Sequence, residues 1–137
     1  MKTRNSHLES ILETQIGEIS NNSSQEEIFQ NKVIRPILKF QNDLILKIFI
    51  EYCIKQKSVL FKLSINKRLE YIEHSLQRDM KFREFYKGIV IGLFNIEAFE
   101  EYSKNSSNLN RRITTMLIER LKSQIQLLVV NENEIYL

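Results

Sequence analysis

Residues Asn108 to Val130 read NLNRRITTMLIERLKSQIQLLVV. At ~100° per residue, Leu109, Ile113, Met116, Leu117, Leu121, Ile125 and Leu128 fall on one wide apolar arc. Arg111, Thr115, Glu119, Lys122 and Gln126 lie outside it. The period predicts a long amphipathic helix over about 108–130, capped by Ser106 or Ser107. Two polar residues interrupt the arc, Arg120 and Gln124. A guanidinium on an apolar face must be paired or must reach water. The expected partner of Arg120 is a carboxylate from another helix, with Glu70, Glu73, Asp79, Glu97 and Glu101 as candidates. The alternative is a ligand anchor in a helix-lined pocket, with Gln124 beside it and Gln41 as a similar polar intruder on another helix.

Working outward, the same period recurs. Ser6-His-Leu-Glu9 fits a capping box ahead of a short helix carrying Leu8, Ile11, Leu12, Ile16 and Ile19. A linker follows at Asn21 to Ser24, and Ser24-Gln-Glu-Glu27 is a second box. From it a helix should run from Gln25 to about Gln56, with Ile37, Gln41, Leu44, Ile45, Ile48 and Tyr52 on one face. Pro36 lies inside and should kink or break it near Val33 to Arg35. A connection over Lys57–Ser64, with a short extended piece at Val59 to Leu63, leads to helices at about 65–78 and 79–93. Asn95 caps a short acidic helix ending near Tyr102.

Composition agrees. The 137 residues include three glycines and one proline, too few for the turns of a sheet protein. The expected fold is all-α: a single domain over 1–137, a bundle of five or six helices, with residues 1–24 as N-terminal helix and linker and 131–137 as a frayed tail. The formal net charge of +3 is a mild excess, suited to solubility as well as to a polyanion. Charge comes in blocks. Residues 55–87 carry nine basic and four acidic residues, whereas 88–102 carry three acids and no base, so neighbouring helices can match charge. A single cysteine, Cys53, excludes an internal disulfide and fits a reducing compartment. A polar start and no apolar run of ~18 residues point to a cytoplasmic chain without a membrane span.

Catalytic signatures are scarce. No phosphate loop, dinucleotide fingerprint, zinc motif or nucleophile elbow occurs, and no cofactor or metal is expected. Only His7 and His74 supply imidazole. Glu70 and His74 stand one helical turn apart, a weak basis for a metal. Arg68 and His74 match an R-x5-H spacing similar to that of the HEPN ribonucleases, which would use such a pair to polarise a phosphate and activate a 2′-hydroxyl. Asn108, Arg111 and Arg112, with Lys122 further along, make a candidate nucleic-acid surface. Gly88-Ile-Val-Ile-Gly92 places two glycines on one helix face, each costing ~1 kcal/mol against Ala. Close approach by another helix would offset that, first expected from the same chain and otherwise from a second copy.

Four stretches resemble a family of small all-helical bacterial proteins often called glyoxalases: RPILKFQNDL (35–44), KRLEYIEHSLQRD (67–79), KGIVIGLF (87–94) and EYSKNSSNLNRRITTMLIERLKSQ (101–124). The resemblance covers most of the chain from about Glu26. It implies an all-helical fold and, through the family's label, a lyase. Glyoxalase I builds its metal site from His, Glu and Gln on paired βαβββ units, so no residue of this chain carries over as a ligand. The preferred functional reading is a non-catalytic interaction or regulatory module that self-associates through Gly88 and Gly92. An enzyme, glyoxalase-like or an RNase using Arg68 and His74, and nucleic-acid binding through the basic last helix are the alternatives.

Overall fold

The computed structural model describes residues 2–12, 24–57 and 60–129. These residues form helices and short turns, without a strand among them, so the all-α expectation holds. The chain runs α1 (Lys2–Ile11), α2 (Gln25–Phe29), a π-turn (Gln30–Ile34), α3 (Arg35–Phe40), α4 (Asn42–Lys55), a 3-10 turn (Leu60–Lys62), α5 (Ile65–Arg78), α6 (Met80–Ile91), α7 (Ile96–Lys104), α8 (Ser106–Ser123) and a last 3-10 turn (Ile125–Leu127).

The helix starts follow their caps. Ser24, Ser64, Asp79 and Asn95 each accept the backbone N–H three residues on, opening α2, α5, α6 and α7. Ser6 does not: α1 already runs from Lys2, so Ser6 lies within it rather than capping it. Ile16, Ile19 and the Asn21–Ser23 linker lie outside the described residues, as does the tail from 130. The extended piece expected near Val59–Leu63 is a 3-10 turn from Leu60.

Pro36 does not act as a simple break. Its ring needs the space that the carbonyl four residues back would occupy, and it has no N–H to donate. The chain responds with a π-turn just upstream, in which the Arg35 amide reaches back to the Gln30 carbonyl. Pro36 then sits in the first turn of α3, where a missing N–H costs nothing. The sharper interruption comes at Gln41, whose ψ of 5° leaves the helical region between α3 and α4.

The core gathers Phe29, Ile34, Ile37, Ile45, Phe49, Cys53, Ile72, Leu76, Tyr86, Val90, Ile113, Leu117 and Leu121. α8 lies among α5, α6 and α7 and supplies Leu109, Ile113, Met116, Leu117, Ile118 and Leu121. It begins at Ser106 with Asn105 in the cap position, without a side-chain cap bond, and ends at Ser123, short of the expected 130. α4 and α6 run antiparallel. Tyr52 stacks on Phe82 with ring centroids 3.8 Å apart. Tyr86 Oη donates to the Ile45 carbonyl at 2.6 Å, and Gln41 Nε2 donates to the Ile89 carbonyl at 3.5 Å. Burial pushes both tyrosine hydroxyls upward; the bond that Tyr52 donates to Asp79 adds to its shift, and Cys53 adds to that of Tyr86.

Arg4 ties α1 to the end of α6. Its guanidinium donates to the Gly92 and Phe94 carbonyls, both at 2.6 Å. Asn5 donates to Glu97 and accepts from the Ile96 amide, closing the same corner. No helix among the described residues is long and apolar enough to cross a membrane.

Candidate functional site

Two features stand out: a groove along α8 and an apolar outer face on α4 and α6. The groove is made of two adjoining clefts that share Gln30, Met116 and Glu119. One, of about 370 Å³, is lined by Glu26, Gln30, Asn108, Arg111, Arg112, Thr115, Met116 and Glu119. The other, of about 290 Å³, adds Arg35, Leu38, Arg120 and Ser123.

The structure therefore brings together Asn108, Arg111, Arg112 and Arg120, which sequence reading had assigned to two separate functions. It removes Lys122, which turns to α5 and pairs with Glu73 at 3.2 Å. It adds Arg35, which the sequence did not single out. Arg35 arrives through the π-turn. Residues five apart in an α-helix stand about 140° apart. One π-turn instead places Gln30 and Arg35 on the same side, and both line the second cleft.

The basic groups differ in how they are spent. Arg112 Nη1 donates to Gln30 Oε1 at 2.9 Å and Arg111 Nη2 to Asn108 Oδ1 at 2.9 Å. Glu26 accepts from Asn105, and its carboxyl is held below the usual range, first by its own backbone amide, then by Asn105, with a smaller effect of Arg112.

Arg120 finds no carboxylate. Its Nη1 donates to Asn42 Oδ1 at 3.0 Å. Asn42 and Gln124 exchange two further bonds, of 2.8 and 2.6 Å. The expected ion pair is thus replaced by an amide cluster. An amide oxygen can accept from two donors and needs no charge, and the turn at Gln41 is what aims Asn42 at α8. Burial, and then the charge of Arg35, lower the pKa of the Arg120 guanidinium. Gln41 takes no part; it bonds to Ile89 on the opposite side of α4.

Arg68 and His74 do not assemble. Arg68 donates to the Leu63 and Phe61 carbonyls and pins the 3-10 turn to α5. His74 is exposed, six residues on and so on another face of that helix. His7 is exposed on α1. Cys53 is fully buried on α4.

The glycine pair faces outward. A Cβ on Gly88 would meet nothing within 4 Å beyond its own helix backbone among the described residues. The intramolecular packing expected for this pair is therefore absent there, and Gly92 serves as the C-cap of α6. Beside Gly88 on the same helix Phe85 is exposed, with the charged Lys81 and Glu84 also at the surface. Leu44 lies on α4 and Phe85 on α6, three residues before Gly88. Phe85 is 58% exposed, Phe40 53% and Leu44 47%. Ile48 on α4 and Ile89 on α6 are half-buried and pack against the core.

No protein-family model matches the chain, and no curated protein or solved structure matches it.

Proposed function

We propose that this protein is a cytoplasmic, non-catalytic interaction module that pairs with a second copy of itself across the outer face of α4 and α6. The observation that carries this reading is the open position at Gly88 beside exposed Phe85 and Leu44. An interior glycine weakens a helix unless something approaches it closely, and at Gly88 the described residues of this chain supply nothing. A patch of large apolar side chains next to a notch without side chains is self-complementary, because a two-fold axis sets the knob of one copy against the notch of the other.

Charge supports the same occupant. Lys39, Asp43, Lys47 and Glu51 run along the exposed ridge beside the patch, alternating in sign every four residues. Read in reverse, that ridge meets its own copy with opposite signs throughout. A membrane surface would instead favour basic residues of one sign.

The groove on α8 supports nucleic acid less well, because Lys122 has left it and Glu26 and Glu119 line it. Arg68 and His74 give an RNase no shared site, and the exposed histidines give a glyoxalase no ligand set.

Sedimentation equilibrium tests the proposal. The chain should pass from monomer to dimer as concentration rises. Phe85→Ser and Gly88→Leu should remain monomeric with unchanged helical circular dichroism. A wild-type chain that stays monomeric at its highest soluble concentration, or variants that dimerise as well as wild type, would refute it.

A further inference from the structure

Arg35 and Arg120 line one cleft of about 290 Å³ between the π-turn and α8. Neither has a carboxylate partner among the described residues. Arg120 spends one N–H on Asn42. The Arg35 side chain makes no hydrogen bond or ion pair among the described residues, although a guanidinium carries five N–H donors. Glu119 is the one carboxylate of the lining, and it pairs with neither arginine. Two like charges therefore line one open cleft with most of their side-chain donors unused. The arrangement follows from the fold: the π-turn ahead of Pro36 puts Arg35 on the rim of the cleft beside Gln30, and the Asn42–Gln124 cluster holds Arg120 in place.

We propose that this cleft binds the phosphate group of a small phosphorylated ligand, clamped between the guanidinium groups of Arg35 and Arg120. A tetrahedral phosphate offers several charged oxygens, enough to accept from two planar forks at once. The crowding of the two cations is relieved when that charge enters. The effect on Arg120 described above, where burial and Arg35 both oppose its charge, has the same origin. A single-stranded nucleic acid fits less well. The lining has no aromatic ring on which a base could stack, and Glu26 and Glu119 interrupt the positive surface along the groove. The site lies at the π-turn and α8, away from the outer face of α4 and α6, and does not depend on self-association.

Inorganic phosphate is the probe, titrated into the full chain while the arginine Nε–Hε signals are followed by NMR. The signals of Arg35 and Arg120 should shift together and saturate, whereas that of exposed Arg78 stays still. A phosphate monoester should compete at the same two signals. Arg35→Gln should weaken phosphate binding at least about tenfold. The Arg35 side chain is exposed and bonds to nothing described, so this variant keeps the fold and decides the matter even if Arg120→Gln fails to fold. Shifts spread evenly over all arginines, unchanged affinity in Arg35→Gln, or no competition by the monoester would overturn the proposal. So would a short RNA that binds through these arginines while phosphate alone does not saturate.

Discussion

Gly88→Ala is the sharpest test of how α6 is built. The glycine sits inside a helix, at φ and ψ that any residue adopts, since no glycine of the described chain has positive φ. Its added Cβ would meet nothing within 4 Å beyond the helix backbone. No overpacking term then opposes the change, and helix propensity decides the sign. Alanine gains about 0.5–1 kcal/mol over glycine in a helix interior, largely by narrowing the unfolded ensemble. For a domain of this size that corresponds to a rise in Tm of roughly 2–5 °C. Gly92→Ala is the built-in contrast. There the Cβ would lie 3.0 Å from the Gly88 carbonyl oxygen, so the last turn must open to admit it, and no gain is expected. Urea unfolding followed by circular dichroism, at protein concentrations low enough to keep the chain monomeric, measures both. If Gly88→Ala were destabilising by 1 kcal/mol or more under those conditions, another part of the chain would have to cover the glycine face, and the outward orientation assigned to it would be wrong.

Three further outcomes follow from named contacts. Tyr86→Phe removes the donor to the buried Ile45 carbonyl while keeping the ring, and should cost about 1–2 kcal/mol in urea unfolding, with no shift in helix content. Asn42→Leu leaves Arg120 and Gln124 without their acceptor and should cost about 1–3 kcal/mol; a neutral result would show that water replaces the amide. Tyr52 and Tyr86 have folded pKa values raised above the free value of about 10, so the fold favours their neutral form. The stability this provides is fully present below about pH 10 and is lost as pH rises beyond it. Tyrosinate absorbance should therefore appear in two stages, the second coincident with loss of helical signal; a single stage in the still-folded chain would refute the assigned burial.

Much of the architecture was legible because it is local. Ser24, Asp79 and Asn95 cap helices through bonds that span three residues, and the sequence contains both partners. The apolar arc of α8 is a matter of period, and Leu109, Ile113, Met116, Leu117 and Leu121 are buried as that period requires. Ser6 misled because a capping box specifies a start only where nothing upstream continues the helix. At Pro36 the missing amide and the bulky ring were visible, but the widened turn that accommodates them just upstream was not.

The candidate sites divide along the same line. The glycine pair could be read as a close-approach motif, yet whether its face turned inward or outward depended on how α6 lies against α4. Arg120 was visible as a charge on an oily face, but its partner was not, because Asn42 is 78 residues away and reaches it only through the turn at Gln41. Arg35 gave no signal at all. Its place beside Arg120 follows from one extra residue in a helical turn, a phase change that alters every downstream direction without altering the residue pattern. Period and capping depend on neighbours a few positions apart, so the sequence alone determined that the chain is helical and where several helices begin, although Leu44, expected on the face of Ile45 and Tyr52, is exposed. Which polar groups meet across those helices depends on axis placement and phase, and only the packed structure decided that.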